Sequence, residues 1–471
     1  MHDNTAHSLE NAPKPFILMN RRNFVHTALT SSAFALIPKV RGGVSNELSI
    51  GAIGVGGKGR SDLDQLAKHG KVVALCDINS RKLDYAKRSY SRAVGYSDYR
   101  KLIAQWSGKI DVISISSPDH THAHATQLAL KAGMQVFVQS PMAHTVWEAR
   151  QLRILAKEMG ACVQVGMQGC AHDGFRQGVE YLQAGGIGKV SEIHVWTNQP
   201  TWPQGPIITD RPNEHFAVPD ELNWDGFLGP SQGRDFHPCY QPYKWRGWRD
   251  FGTGAIGDSG MHLLNLPAMG CGLNSPEKVT CLLRAPYHQE TFPGWGTVRF
   301  DFSSTRGRIS LFWYEGKVGN LSSQTTGMPN IPRNDLFLGK KPTPQGCIVV
   351  GSKGTLFSSS RFGTSWEVNL GKKWLMPHEL SLPPNSLKRN GRGDSGMKEE
   401  LVMAIREKRP GFPLANFDYA ARLNEWILLG NVAMAKGGEF RWDEKNFSTS
   451  RTDTNSMLTK SYRKGWTVNP A

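Results

Sequence analysis

The sequence predicts an α/β protein in which a doubly wound parallel-sheet domain precedes an α+β domain with a large, mostly antiparallel, open-faced sheet. Three observations carry this. Short apolar runs alternate with helical segments from Leu48 to Val138, as a parallel sheet needs. A glycine-rich turn follows the first of those runs. From Thr297 onward, period-two patterns such as Thr297-Val298-Arg299-Phe300-Asp301-Phe302 replace continuous apolar runs, the mark of a sheet packed on one face and open on the other. At 471 residues the chain also exceeds what one core covers, because single cores stop growing near ~250–300 residues. The divisions follow as an extension and leader over 1–45, the parallel-sheet domain over 46–168, and the open-sheet domain with a C-terminal return segment over 169–471.

Leu48–Ile53 reads as a strand that runs into Gly54-Val55-Gly56-Gly57-Lys58-Gly59 and then a helix beginning near Ser61. Gly54 permits the tight turn, Gly56 lets backbone amides approach a pyrophosphate, and Gly59 allows close helix–strand packing. The pyrophosphate would lie on the helix N-terminus. Residues 72–76 form the next strand and end at Asp77, eighteen residues after Gly59, where a carboxylate can bond ribose hydroxyls. That acid favours NAD, and the nearby Arg81 and Lys82 leave NADP open. Residues 110–115 form another apolar strand, so the following Ser116-Ser117-Pro118-Asp119-His120-Thr121-His122 is expected as a loop facing the nicotinamide. A helix over 123–132 and a strand over 135–138 complete the unit.

In the second half, aromatic residues cluster in Pro238-Cys239-Tyr240-Gln241-Pro242-Tyr243-Lys244-Trp245-Arg246-Gly247-Trp248, read as a cleft wall. The glycine-rich segment from Gly252 to His262 places Asp258 and His262 four apart, on one face of a helix, where the carboxylate can orient the imidazole. The seven cysteines show no C-x-x-C or histidine-rich spacing, which signals neither a metal site nor a disulfide framework. The formal charge of +16 is dispersed and comes without a nucleic-acid-binding signature; it points instead to an anionic envelope or a polyanionic glycan. No apolar run is long enough to span a membrane.

The glycine loop, the Ser-Pro-Asp-His-Thr-His segment, the run Gln139-Ser140-Pro141-Met142-Ala143-His144 and the later Gly166-Met167-Gln168-Gly169 together resemble consecutive landmarks of the Gfo/Idh/MocA oxidoreductase family. The likeness is narrower to its exported, tryptophan-rich branch, whose members act on glycosides and polyols. It implies a Rossmann domain beside an open-sheet domain with the substrate cleft between them. It also implies that Gly54, Gly56, Gly57, Lys58, Gly59, Asp77, Ser116, Pro118, His120, His122, Gln139, Pro141 and Gln168 serve the cofactor, and that His262 and Asp258 serve catalysis. Two positions depart from the family pattern: Ser140 stands where the motif carries lysine, and Met167 stands where it carries asparagine in the cleft. Met19-Asn20-Arg21-Arg22-Asn23-Phe24-Val25 resembles a twin-arginine export motif, which implies a periplasmic or extracytoplasmic destination, or a cytoplasmic one if the leader does not function.

These readings converge on an NAD(P)-dependent oxidoreductase for a small carbohydrate or polyol, with a bound cofactor recycled within the cycle. A homo-oligomer formed through the open sheet face fits the same pattern. The alternative is a catalytically silent dinucleotide-binding paralogue that recognises carbohydrate or a partner.

Overall fold

The computed structural model describes residues 47–205, 207–304, 307–318 and 328–471. The leader expected around Arg21 and Arg22 lies outside them. Among the described residues, no helix is long and apolar enough to cross a membrane.

The first sheet has six strands: β1 (Leu48–Ile53), β2 (Gly70–Cys76), β3 (Val94–Tyr96), β4 (Val112–Ile115), β5 (Gln135–Gln139) and β6 (Val163–Gly166). They run parallel in the order β3-β2-β1-β4-β5-β6, the doubly wound arrangement. Ile50, Ala52, Val112, Ile113, Val136 and Phe137 are fully buried, as expected for strands covered on both faces. The helices are α1 (Lys58–Leu66), α2 (Ser80–Ser89), α3 (Tyr99–Gln105), α4 (Asp119–Lys131) and α5 (Val146–Glu158).

Two boundaries differ from the sequence reading. Helix α1 begins at Lys58, inside the glycine loop, rather than near Ser61. Helix α4 begins at Asp119, so the segment expected as a loop is the first turns of a helix. Pro118 is pre-set for an extended N-cap and Asp119 favours the positive helix end, and together they start the helix early enough to bury His120 and His122.

After α6 (Asp173–Gln183) the chain enters the second sheet, which has eleven strands. These are β7 (Val190–Thr197), β8 (Lys278–Arg284), β9 (Trp295–Ser304), β10 (Gly307–Val318), β11 (Met328–Pro329), β12 (Gln345–Gly351), β13 (Thr355–Ser358), β14 (Glu367–Asn369), β15 (Trp374–Leu375), β16 (Gly438–Asp443) and β17 (Ser448–Thr449). All neighbours are antiparallel except β7 and β10. Period two is visible in β10, where Ile309, Leu311 and Trp313 are buried while Arg308, Ser310 and Phe312 are not.

Between these strands lie α7 (Trp224–Leu228), α8 (Gly254–Leu263) and α9 (Asn265–Cys271); α10 (Gly393–Glu407) and α11 (Phe417–Lys436) follow β15. Helix α11 joins the two halves. Its Trp426 meets Phe300 of the second sheet edge-on, and its Glu425 takes a bidentate ion pair from Arg150 of α5. Helix α10 returns to the first domain, where Leu401 and Val402 share a core with Leu48, Ile50 and Phe137.

Candidate active site

A cavity of about 310 Å³ lies at the carboxyl ends of β1, β2, β4 and β5, the edge at which parallel sheets bind ligands. Its floor includes Gly54, Gly56, Lys58, Asp77, Ser116 and Pro118; Gln139 and Ser140 close one side. Gln241, Pro242, Tyr243, Trp245 and Arg246, from the second half, close the other. The expected aromatic wall is therefore present but divided. Tyr243, Trp245 and Phe227 line the cavity, whereas Tyr240 and Trp248 pack behind them with Trp224 and Phe251.

The glycines are shaped by their neighbours. Gly54 has φ +77°, and a Cβ there would sit 2.5 Å from the Ser116 carbonyl oxygen. A Cβ on Gly59 would lie 1.9 Å from the Gly54 oxygen, which is the close helix–strand approach the motif requires. At Gly56 the obstacle is only the flexible Lys82 side chain, 2.7 Å away at Cδ. Gly57 forms the N-cap of α1, and no side chain caps this helix; the Gly59 N–H bonds the Gly56 oxygen at 3.0 Å, which leaves the other first-turn N–H groups for an anion.

Asp77 accepts the Val55 N–H and the Asn79 N–H, each at 2.9 Å, which aims it at the cavity end of β2. Burial lifts its carboxyl above the usual range, against the pull of these N–H groups. An uncapped helix, a glycine floor and a positioned carboxylate fit the pyrophosphate and ribose of a dinucleotide.

A hub that the sequence reading missed holds the rest of this floor. Asp62, fully buried on α1, accepts Ser116 Oγ at 2.9 Å and Gln139 Nε2 at 2.7 Å and pairs with Lys58 and Lys398. Lys398 is also fully buried and reaches Asp394 at 2.6 Å. Only the Lys58–Asp62 spacing of four was legible in the sequence. Lys398 and Asp394 arrive on α10, from far along the chain. Gln168 joins by donating to Gln139 Oε1 at 3.1 Å.

Several expected site residues lie elsewhere. His120 does not line the cavity: it is fully buried, with Nε2 2.7 Å from the Phe227 oxygen and Nδ1 3.2 Å from the Phe251 oxygen, and burial pushes it down to about 3. It ties α4 to the second domain. His122 does line the cavity, yet both ring nitrogens are held by the Pro141 and Ser117 oxygens. Met167 is fully buried in the core, so this position gives the cleft nothing, polar or apolar.

The largest correction concerns Asp258 and His262. They share α8, but Asp258 does not orient the imidazole. Its Oδ1 accepts Arg246 Nε at 3.1 Å and its Oδ2 accepts Arg361 Nη2 at 3.2 Å. Two guanidiniums outcompete a neutral imidazole for one carboxylate. His262 instead places Nε2 3.2 Å from Ser140 Oγ, and its Nδ1 has no partner among the described residues. Burial and then the Arg361 charge push His262 down to about 3, which keeps it neutral at pH 7.

Asp119 is a second residue the sequence reading passed over. It lines the cavity, accepts Thr253 Oγ1 at 2.7 Å and is raised to about 7 by burial, against the pull of Arg246.

Residues 48–167 match the model of the oxidoreductase family NAD-binding Rossmann fold, and residues 208–305 match that family's C-terminal alpha/beta domain. The chain is similar to inositol 2-dehydrogenase of Salmonella typhimurium, 29% identical over 152 residues that make up 31% of this chain and 45% of that protein. It is also similar to a glycosyl hydrolase family 109 protein of Shewanella baltica, 28% identical over 167 residues, 28% of this chain and 36% of that one. The chain thus spans less than half the length of these curated relatives. In fold it is similar to an inositol dehydrogenase homolog of Azotobacter vinelandii complexed with NADH and myo-inositol. That likeness has a TM-score of 0.57 at 16% identity and covers 85% of this chain and 98% of that one. With its doubly wound sheet, its glycine floor and two successive domain models matched, the chain carries, over residues 48–167 and 208–305, the NAD-binding Rossmann domain and the C-terminal domain of the Gfo/Idh/MocA oxidoreductase family.

Proposed function

We propose that the protein is an NAD-dependent oxidoreductase acting on a hydroxyl-bearing carbon of a sugar, glycoside or cyclitol. The observation that carries this reading is the Ser140–His262 hydrogen bond, set at the wall of a cavity whose floor is a dinucleotide cradle. NAD, when bound, supplies the hydride acceptor. The glycine loop and the α1 N-terminus would hold its pyrophosphate, and Asp77 would hold its ribose hydroxyls.

The chain's own task is then to move one proton. Ser140 stands where the family motif carries lysine, so no ammonium group at this position reaches the reacting hydroxyl. In its place, Ser140 Oγ takes the substrate hydroxyl proton as its own proton turns from the Gly166 oxygen to His262 Nε2. His262 is free to accept because it is neutral and because no second hydrogen bond fixes its tautomer, although the burial that holds it at about 3 makes it a weak base. Replacing His262 by glutamine keeps a polar side chain that can hydrogen-bond but removes the basic nitrogen that takes the proton. Turnover should fall by roughly 10²-fold or more with NAD affinity unchanged. Unchanged turnover would remove His262 from the reaction.

The similarity to a glycosyl hydrolase family 109 protein supports a cycle in which oxidation is transient and the bound cofactor is regenerated. Such a cycle suits a protein exported with its cofactor, which we propose for the twin-arginine motif at Arg21 and Arg22. Changing both to lysine preserves charge and should retain the protein inside the cell. Continued export of that variant would rule the motif out.

A further inference from the structure

Around Asp258 the charges do not balance. One carboxylate faces two guanidiniums, Arg246 on Oδ1 and Arg361 on Oδ2, each side chain about a quarter exposed at 25% and 27%. Neither guanidinium is fully used. Arg246 reaches beyond Asp258 only to the Tyr243 oxygen, at a long 3.5 Å, and Arg361 donates to Asp258 through Nη2 alone among the described residues. Arg246 is also held in place from two sides, with its guanidinium 4.5 Å from the Tyr243 ring and 4.3 Å from the Trp245 ring. Tyr243 adopts φ +64°, a strained conformation for a non-glycine residue, at the cavity wall where it meets Arg246.

The neighbouring groups do not cancel the surplus. Lys58 is committed to Asp62 and Asp394, and His262 is neutral. Asp119, the remaining acid on this side of the cavity, is raised to about 7 and is therefore only partly ionised at neutral pH. Arg246 lines the same cavity as Ser140, so its unspent donors border the end where substrate meets the proton-transfer pair; Arg361 does not line the cavity and backs Arg246 through the shared Asp258.

We propose that Arg246 and Arg361 form an anion-binding arm of the cleft and that the substrate is an acidic carbohydrate, bearing a carboxylate or a sulfate ester. This rests on the oxidoreductase reading and narrows its substrate class. A planar guanidinium pairs with carboxylate or sulfate oxygens through two parallel N–H donors, a geometry that a sugar hydroxyl cannot match. A neutral sugar would leave the excess charge uncompensated, whereas an anion completes the set around Asp258. The dispersed charge of +16 draws such polyanions to the protein.

The test measures binding to the full chain saturated with NAD, by calorimetry. Glucuronate and galacturonate are compared with their amides, and glucose 6-sulfate is compared with glucose. At least one anion should bind about tenfold or more tightly than its uncharged analogue, a difference of about 1.4 kcal/mol. A preference limited to the uronates assigns a carboxylate, and one limited to the sulfate assigns a sulfate ester. Arg361→Gln and Arg246→Gln should each shrink the ratio to about threefold or less, while Arg361→Lys should keep more of it than Arg361→Gln. Thermal melting of each variant identifies any that fails to fold. Equal affinity for charged and neutral sugars, or a preference that survives both glutamine variants, overturns the proposal. If neutral sugars bind equally well and still reduce NAD, the acidic-substrate inference alone fails. If no sugar of either kind reduces bound NAD, the oxidoreductase reading falls, and the inference with it.

Discussion

Ser140 Oγ lies 3.2 Å from His262 Nε2 and 3.2 Å from the Gly166 carbonyl oxygen, to which it donates. The single hydroxyl proton rests on the Gly166 oxygen and must turn to His262 Nε2 for the relay. Ser140→Ala breaks the relay and should lower turnover by roughly 10²-fold while leaving NAD affinity intact. Ser140→Lys adds an ammonium group beside a neutral imidazole, without like-charge repulsion from it. Steady-state assays should show that variant regaining activity over Ser140→Ala, by a factor within roughly 10²–10⁴. A lysine variant as slow as the alanine variant would mean that the cleft no longer presents a hydroxyl to this position.

The two glycines of the nucleotide loop should behave oppositely. In Gly59→Ala the new Cβ meets the Gly54 carbonyl oxygen at 1.9 Å, and backbone cannot swing aside. The variant should lose about 3 kcal/mol of stability or more, read from denaturant unfolding. In Gly56→Ala the Cβ meets only Lys82 Cδ, which can move, so unfolding should barely change while NAD affinity falls. Equal effects of the two substitutions on stability would show that the loop is not packed as described.

Cofactor choice should follow the charge on Asp77 rather than its shape. Asp77→Asn retains an oxygen able to accept the Val55 N–H while removing the negative charge a 2′-phosphate would meet. Titration with both cofactors should show weaker NAD binding and a preference over NADP reduced about tenfold, or about 1.4 kcal/mol. An unaltered preference would assign the discrimination to another residue.

Asp119 ties stability to pH in a defined direction. Its carboxyl stands at about 7 in the fold against an ordinary 3.8, with burial as the cause and the nearby Asp258 adding to it, opposed by Arg246 and the Thr253 hydrogen bond. Between these values the folded chain holds a proton that the unfolded chain has released. Its contribution is therefore fully present below pH 3.8 and is lost as pH rises through about 7. Asp119→Asn should flatten the stability profile across that window by an amount on the order of a few kcal/mol. Parallel profiles for the two proteins would contradict the assignment.

How far the sequence could be read depended on distance along the chain. Strands β1, β4 and β5 are continuous apolar runs, and Gly54, Gly59 and Asp77 carry fixed spacings, so this half of the site was legible locally. Asp258 and His262 were also correctly assigned to one helix. Their pairing was not legible, because the arginines that claim Asp258 come from the turn around Arg246 and the loop at Arg361, and Ser140 comes from the other domain. Asp119 and His120 were misread for a different reason. The Pro118 N-cap starts α4 early, which turns expected loop residues into buried clamps between α4 and the 251–253 segment. Lys398 is an ordinary helical lysine in sequence, and only the return of α10 onto the first sheet buries it against Asp62.

The central claim is that hydride passes between a carbohydrate and NAD in this cleft. The direct measurement is the absorbance spectrum of the purified full chain, saturated with NAD, before and after addition of hexoses, amino sugars, uronates and inositols. The account predicts that reduced-nicotinamide absorbance appears with at least one of these sugars and is lost in His262→Gln. A protein that binds NAD and sugar yet produces no reduced nicotinamide with any of them, in the native chain and in Ser140→Lys alike, would contradict it.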